Sequence, residues 1–229
     1  MWYLCLYQMR RERIKDQSKT LRNYYDAMFT RLGEQFWWPG RTRFEVMVGA
    51  ILTQNTAWTN VEKAIKNLRE RKLLNPLAMH RVGAPELALN IKSAGYFNVK
   101  AARLKNLTGH IFNNYGGSLD KFLGKKGNGL REELLSLNGI GPETADSILL
   151  YAALHPEFVV DAYTRRIFSR HGLVSEAAKY DEVKALFTDN LPPDAAMFNE
   201  YHALIVKVGK DYCRTKTPRC SECPLRDYL

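Results

Sequence analysis

The stretch Leu134-Leu-Ser-Leu-Asn-Gly-Ile-Gly-Pro-Glu-Thr-Ala-Asp146 decides how the chain is read. Leu130, Leu134 and Leu137 recur at helical spacing, so an amphipathic helix leads into it. Gly139 and Gly141 bracket Ile140 and let the backbone turn sharply. Pro142 suits the first position of a new helix, where its missing N–H costs nothing. The segment therefore predicts helix, tight hairpin, helix. The N–H groups at the start of the second helix form an anion site suited to a DNA phosphate. Ile140 is placed to pack between the two helices. A hairpin of this kind contacts backbone and does not read base sequence.

Outward from the hairpin, the same periodicity recurs. Phe44, Met47, Val48 and Ile51 fall on one face, as do Leu104, Leu107 and Ile111, and then Ile148, Tyr151 and Ala152. Breaks fall at Trp38-Pro39-Gly40, Asn75-Pro76, Ala84-Pro85, Gly95, Gly116-Gly117, Pro156 and Pro192-Pro193. Strand signals are scarce. The pattern predicts an all-α chain of roughly ten to twelve short helices with no long linker.

Of 229 residues, 45% are hydrophobic and 11% aromatic, which excludes a disordered chain and a collagen-like fibre. Lys and Arg number 34 against 24 Asp and Glu, a net charge of +10 that points to a polyanionic partner. No run approaches the roughly 18 apolar residues of a membrane-spanning helix. The opening Met1-Trp-Tyr-Leu-Cys-Leu-Tyr-Gln-Met9 lacks the basic region and cleavage site of a secretory signal, and residues 1–8 are read as a start-site artefact or a frayed tail. Cys213, Cys220 and Cys223 crowd together while Cys5 stands far off, which is the pattern of a metal or cluster site and not of a disulfide framework. Val159-Val160-Asp161 precedes an amphipathic segment, so Asp161 taken by itself reads as an N-cap.

Taken together, Leu137-Asn-Gly-Ile-Gly141, Pro142-Glu-Thr-Ala145 and Val160-Asp161 resemble the helix–hairpin–helix–Gly/Pro–Asp DNA glycosylases of the endonuclease III superfamily. Cys213-x6-Cys220-x2-Cys223 is similar to the start of that superfamily's iron–sulfur loop, and Ile51-Leu-Thr-Gln-Asn-Thr56 to its helix-end motif. Phe36-Trp37-Trp38-Pro39 and Gly95-Tyr-Phe-Asn-Val-Lys-Ala-Ala-Arg-Leu104 look most like the endonuclease III-type 3-methyladenine DNA glycosylases. The motifs span roughly residues 20 to 225.

The resemblance implies an all-α, two-lobed fold with a DNA cleft. Residues 1–42 would be a tail and helix packing with the C-terminal lobe, 43–155 a six-helix-type domain ending in the hairpin, and 156–229 a helical lobe with the cysteine loop. It implies a monofunctional enzyme that starts base excision repair on double-stranded DNA. Bifunctional members place a Lys two residues after the hairpin's second Gly; Glu143 stands there, and a carboxylate cannot form an imine. Asp161 would stabilise positive charge on the deoxyribose and orient water. Trp37, Trp38 and Trp58, with Phe36, would wall a pocket for a flipped base, and Lys210 would touch that base or a phosphate. Gln54 would fill the gap the base leaves. Gly139, Ile140, Gly141, Arg165, Arg166 and Arg170 would meet the DNA backbone.

Catalysis needs no cofactor on this reading. The superfamily's [4Fe–4S] cluster takes a fourth Cys at the position of Leu229, which leaves Cys213, Cys220 and Cys223 one ligand short. A monomer is expected, cytoplasmic and nucleoid-associated by function. Two other readings stand beside it: an endonuclease III-like glycosylase for oxidised or deaminated bases, and a non-catalytic damaged-DNA-binding protein. Intact Asp161 weighs against the second.

Overall fold

Pro142 opens a helix, as its place in the sequence demands, and the rest of the chain is equally helical. A computed structural model describes residues 2–37, 40–125 and 129–229, with side chains from Asp16 onward. Twelve α-helices follow in order among the described residues, with no strand: α1 Trp2–Leu32, α2 Arg43–Leu52, α3 Trp58–Glu70, α4 Pro76–Arg81, α5 Ala84–Asn90, α6 Phe97–Tyr115, α7 Leu119–Leu123, α8 Gly129–Ser136, α9 Pro142–Ser147, α10 Ala162–Arg170, α11 Tyr180–Thr188 and α12 Ala195–Asp211. The expected frayed tail over residues 1–8 is corrected by the first of these, because the helix already runs from Trp2. Among the described residues no helix is long and apolar enough to cross a membrane.

The chain divides into two units: residues 1–37 with 156–229, and residues 38–155. In the 38–155 unit, α2 is the central element. Phe44, Met47, Val48 and Ile51 are all buried, but so are the residues between them, so the helix is enclosed on every side. Against it pack α6, α3, α9 and the turn that follows α9, and Leu104, Leu107 and Ile111 of α6 are buried, as are Leu130 and Leu134 of α8. After α9 the chain widens into a π-helical turn, Ile148–Ala152, whose residues are all buried. Thr42 caps α2, Asn75 caps α4 and Ser118 caps α7, each accepting a backbone N–H two or three residues into its helix.

The unit of residues 1–37 and 156–229 has an aromatic core. The Phe158 and Phe187 rings stack, and Phe198, Tyr201 and Phe168 meet them edge-on. Tyr201 is sealed from solvent, and its hydroxyl donates to the Leu21 carbonyl at 2.8 Å, which fastens α1 to α12. A Lys184–Glu157 ion pair closes the edge of α11.

Candidate active site and cysteine loop

The two hairpin glycines are needed for different reasons. Gly139 has φ +92°, a left-handed conformation costly for other residues, and a Cβ there would collide with the Arg103 side chain. Gly141 has an ordinary φ of −93°, and a Cβ there would meet nothing within 4 Å. Its bareness leaves the backbone at the start of α9 open to a close approach. Ile140 is buried and its N–H donates to the Leu137 carbonyl at 3.0 Å. The helices on either side are locked by a pair the sequence did not announce. Arg131 of α8 grips Asp146 of α9 with two bonds, 2.7 and 3.2 Å, and Asp146 is wholly buried. Glu143 sits exposed in the first turn of α9.

Gln54 is expected to project into a gap; here it is held against the hairpin. Its amide nitrogen donates to the Gly139 carbonyl at 3.0 Å and to Thr144 Oγ1 at 2.9 Å, and its oxygen accepts from Arg103. A role in filling a gap requires those bonds to open. Next to it, Lys100 is buried with its ammonium on the carbonyls of Leu52 (2.7 Å) and Ala94 (2.8 Å) and on Thr56 Oγ1 (2.6 Å). Burial, with Arg103 nearby, lowers its pKa from 10.5 to about 8. Lys100 thus ties the Gln54 loop to the loop before α6. That second loop ends in Tyr96, 74% exposed with φ +45°, while Asn55 beside Gln54 has φ +51°. The reading from sequence missed Tyr96, although Gly95-Tyr96 following a helical run was a visible signal.

Asp161 does cap α10, as its place in the sequence suggested: Oδ1 accepts the Thr164 N–H at 2.8 Å and the Thr164 hydroxyl at 2.9 Å, within a capping box. Capping uses one oxygen. The other, Oδ2, faces His202 Nε2 of α12 at 3.6 Å. Burial by itself would raise this carboxyl, but His202 and the two Thr164 bonds more than offset it and hold the pKa below the ordinary aspartate value. His202, itself buried, lies 41 residues away and was not picked out from the sequence.

The arginines after Asp161 do a different job from the one expected. Arg165 donates to the Ala178 carbonyl at 2.6 Å; Arg166 donates to Cys213 O at 2.7 Å and Gly209 O at 2.9 Å. Arg170 reaches the carbonyls of Arg214 and Thr215 at 2.8 and 2.9 Å. These guanidiniums fasten α10 to the segments around it, and that is where the structure places the arginines expected to meet the DNA backbone.

Of the aromatic set, Trp37 is half-buried with the Lys210 ammonium 5.7 Å from its ring centroid, and Phe36 is 80% exposed at φ +50°. Trp58 belongs to the other unit, at the start of α3, with its indole N–H donating to Glu62 at 3.0 Å. Trp38 lies outside the described residues.

Cys213, Cys220, Cys223 and Leu229 all line one apolar cavity beside α10 and α12. Arg170 donates to Cys213 Sγ at 3.3 Å and the Leu225 N–H to Cys223 Sγ at 3.4 Å. Burial pushes the Cys223 thiol up. Among the described residues no group of three His, Cys, Asp or Glu side chains is arranged to hold a metal ion.

The family model for HhH-GPD superfamily base excision DNA repair proteins matches residues 48–193. A Methanocaldococcus jannaschii protein provisionally named a DNA repair glycosylase is 51% identical over 205 residues, covering 89% of this chain and 93% of that one. Endonuclease III of Thermotoga maritima is 30% identical over 185 residues, 81% of each. Among solved structures, a Helicobacter pylori 3-methyladenine DNA glycosylase bound to 1,N6-ethenoadenine superposes with a TM-score of 0.71 at 28% identity, covering 85% of this chain and 97% of that one. A trapped endonuclease III–DNA covalent intermediate matches in fold, with a TM-score of 0.79 at 24% identity over 92% of this chain and 94% of that one.

Proposed function

The chain belongs to the HhH-GPD superfamily of base excision DNA repair proteins and is a DNA glycosylase of that group, and from this premise we propose that it is monofunctional, removing alkylated purines of the 3-methyladenine kind from duplex DNA by hydrolysis. The observation that carries the reading is the pairing of an ionised, largely buried Asp161 with a carboxylate, Glu143, where a nucleophilic amine would stand.

Breaking an N-glycosidic bond builds positive charge on the sugar. Asp161 Oδ2, which faces His202 Nε2 at 3.6 Å and takes no part in the cap, is the oxygen offered to that charge and to the attacking water. The net effect of His202 and Thr164 keeps it ionised at neutral pH. The hairpin supplies backbone N–H groups to a phosphate at Gly141, and the loops bearing Gln54 and Tyr96 support the strand once the base has left the stack. An alkylated purine is already a good leaving group, so electrostatic support and water suffice. Relatedness to a 3-methyladenine glycosylase supports the substrate class.

The test is single-turnover excision on duplexes containing 3-methyladenine, 7-methylguanine, hypoxanthine, uracil or thymine glycol, followed by borohydride. The expected product is an intact abasic strand from the alkylated purines, with no trapped adduct. A borohydride-trapped protein–DNA adduct would refute hydrolysis, and preferential release of thymine glycol would refute the substrate class.

One observation favours a second specificity. The Lys210 ammonium over Trp37 repels a cationic base and donates to a neutral one with an exposed acceptor. Faster release of hypoxanthine than of 3-methyladenine would select that reading.

A further inference from the structure

We propose that Lys100 is a positioning residue for base excision: it fixes the Gln54 loop and the Tyr96 loop at the spacing that turns a damaged base out of the stack, a role that rests on those two loops being the supports of the strand. Lys100 is buried in the first turn of α6, and its ammonium has three protons and three acceptors. Leu52 O accepts at 2.7 Å and Thr56 Oγ1 at 2.6 Å, one on each side of Thr53-Gln54-Asn55. Ala94 O accepts at 2.8 Å, and the Lys100 backbone N–H donates to Tyr96 O at 3.0 Å, so the second loop is also held at both ends. The Thr56 hydroxyl donates to the same Ala94 carbonyl at 2.5 Å and closes the bracket.

All three acceptors of the ammonium are neutral oxygens. A cation buried without a carboxylate among its partners carries a desolvation cost that an apolar side chain would not. What it gains is geometry. Asn55 at φ +51° and Tyr96 at φ +45° are left-handed, and residues other than glycine stay there only where their surroundings fix them. The fixed points are the ones Lys100 holds, on either side of each residue. One turn further along α6, Arg103 donates to the Gln54 side chain, so one face of the helix meets that loop at its ends and at its tip. A misplacement of about 1 Å can slow a reaction about 100-fold, so Lys100 acts on rate without touching the reacting atoms.

The test uses the full-length chain and a duplex with a tetrahydrofuran abasic analogue and 2-aminopurine as the base opposite it. Fluorescence rises when that base is unstacked, and the readout needs neither excision nor a particular damaged base. The native chain is expected to raise the signal. Lys100→Met, which keeps the stem and loses the donors, is expected to bind and to lose most of the rise. Its single-turnover excision of the alkylated purine should fall about 10- to 100-fold with thymine opposite, and far less with an abasic analogue opposite, where less pairing and stacking must be broken. Thr56→Val removes one acceptor and leaves the charge; it should show the same split at smaller size, and it carries the test if Lys100→Met does not fold. Absence of excision from every duplex, with the fluorescence difference intact, would sink the substrate reading and leave the role of Lys100 standing. Three results would overturn that role: no rise with the native chain, a native rise in folded Lys100→Met, or equal losses of excision on both duplexes.

Discussion

Asp146 and Asp161 are both aspartates removed from solvent and facing a basic side chain, yet they stand for opposite uses of a buried charge. Asp146 meets Arg131 through both oxygens at 2.7 and 3.2 Å and has no exposed surface. Its partner is permanently charged and planar, so the pair is geometrically complete. Asp161 commits Oδ1 to Thr164 and turns Oδ2 towards His202 Nε2 at 3.6 Å, a single imidazole and not a bidentate guanidinium. A carboxylate gripped through both oxygens is a clasp. One whose second oxygen stands 3.6 Å from a ring nitrogen is held more loosely.

The sharpest way to break this contrast is Asp161→Asn. An amide oxygen still accepts from Thr164, so the α10 cap survives and stability is nearly unchanged. Excision is expected to fall by about 10²–10⁴-fold in single turnover while DNA binding holds. Turnover near that of the native chain would reduce Asp161 to a cap.

Asp146→Ala should do the reverse. Leaving the half-buried Arg131 guanidinium without this carboxylate should cost about 1–3 kcal/mol, read from urea midpoints. Replacing both with apolar residues, Arg131→Met with Asp146→Leu, should recover most of that. If the single change is silent, the hairpin does not depend on the clasp.

Gly139→Ala is expected to cost about 1–3 kcal/mol, because the residue must hold φ +92° against Arg103. DNA affinity should fall with it. Gly141→Ala, at ordinary φ in open space, should leave thermal stability untouched and weaken only DNA binding.

His202→Phe bears on Asp161 through charge. The native carboxyl lies below its ordinary pKa, so its stabilisation is present above the unfolded value and lost as pH falls through the folded one. Removing His202 leaves burial less opposed, so the acid limb of the excision profile should move upward. An unmoved limb would show that Thr164 alone holds the charge.

The smallest effect concerns Lys100. Its folded pKa of about 8 lies below 10.5, so folding carries a penalty in full below about 8 that is relieved as pH rises towards 10.5. Urea midpoints of the native chain relative to Lys100→Met should therefore climb between those values.

Much of this was legible beforehand. The hairpin and the helical content are written in contiguous residues. The fate of the cations was not. Arg165, Arg166 and Arg170 look on paper like a DNA-facing row, and only packing reveals that carbonyls of neighbouring segments take their guanidiniums. Gln54 was expected to stand free, and the hairpin itself claims its amide. Lys100 passed unnoticed because a lone Lys on a helix is ordinarily solvated.

The sequence by itself determined the turn and its chemistry. A glycine at positive φ, a proline at a helix start and a missing amine at residue 143 are local requirements, satisfied or not by the residues in place. Tertiary structure alone decided which charges are saturated. Arg131 finds Asp146 across 15 residues and Asp161 finds His202 across 41. Such pairings depend on how helices pack, and burial sets the strength and the pKa of each partner only once that packing exists.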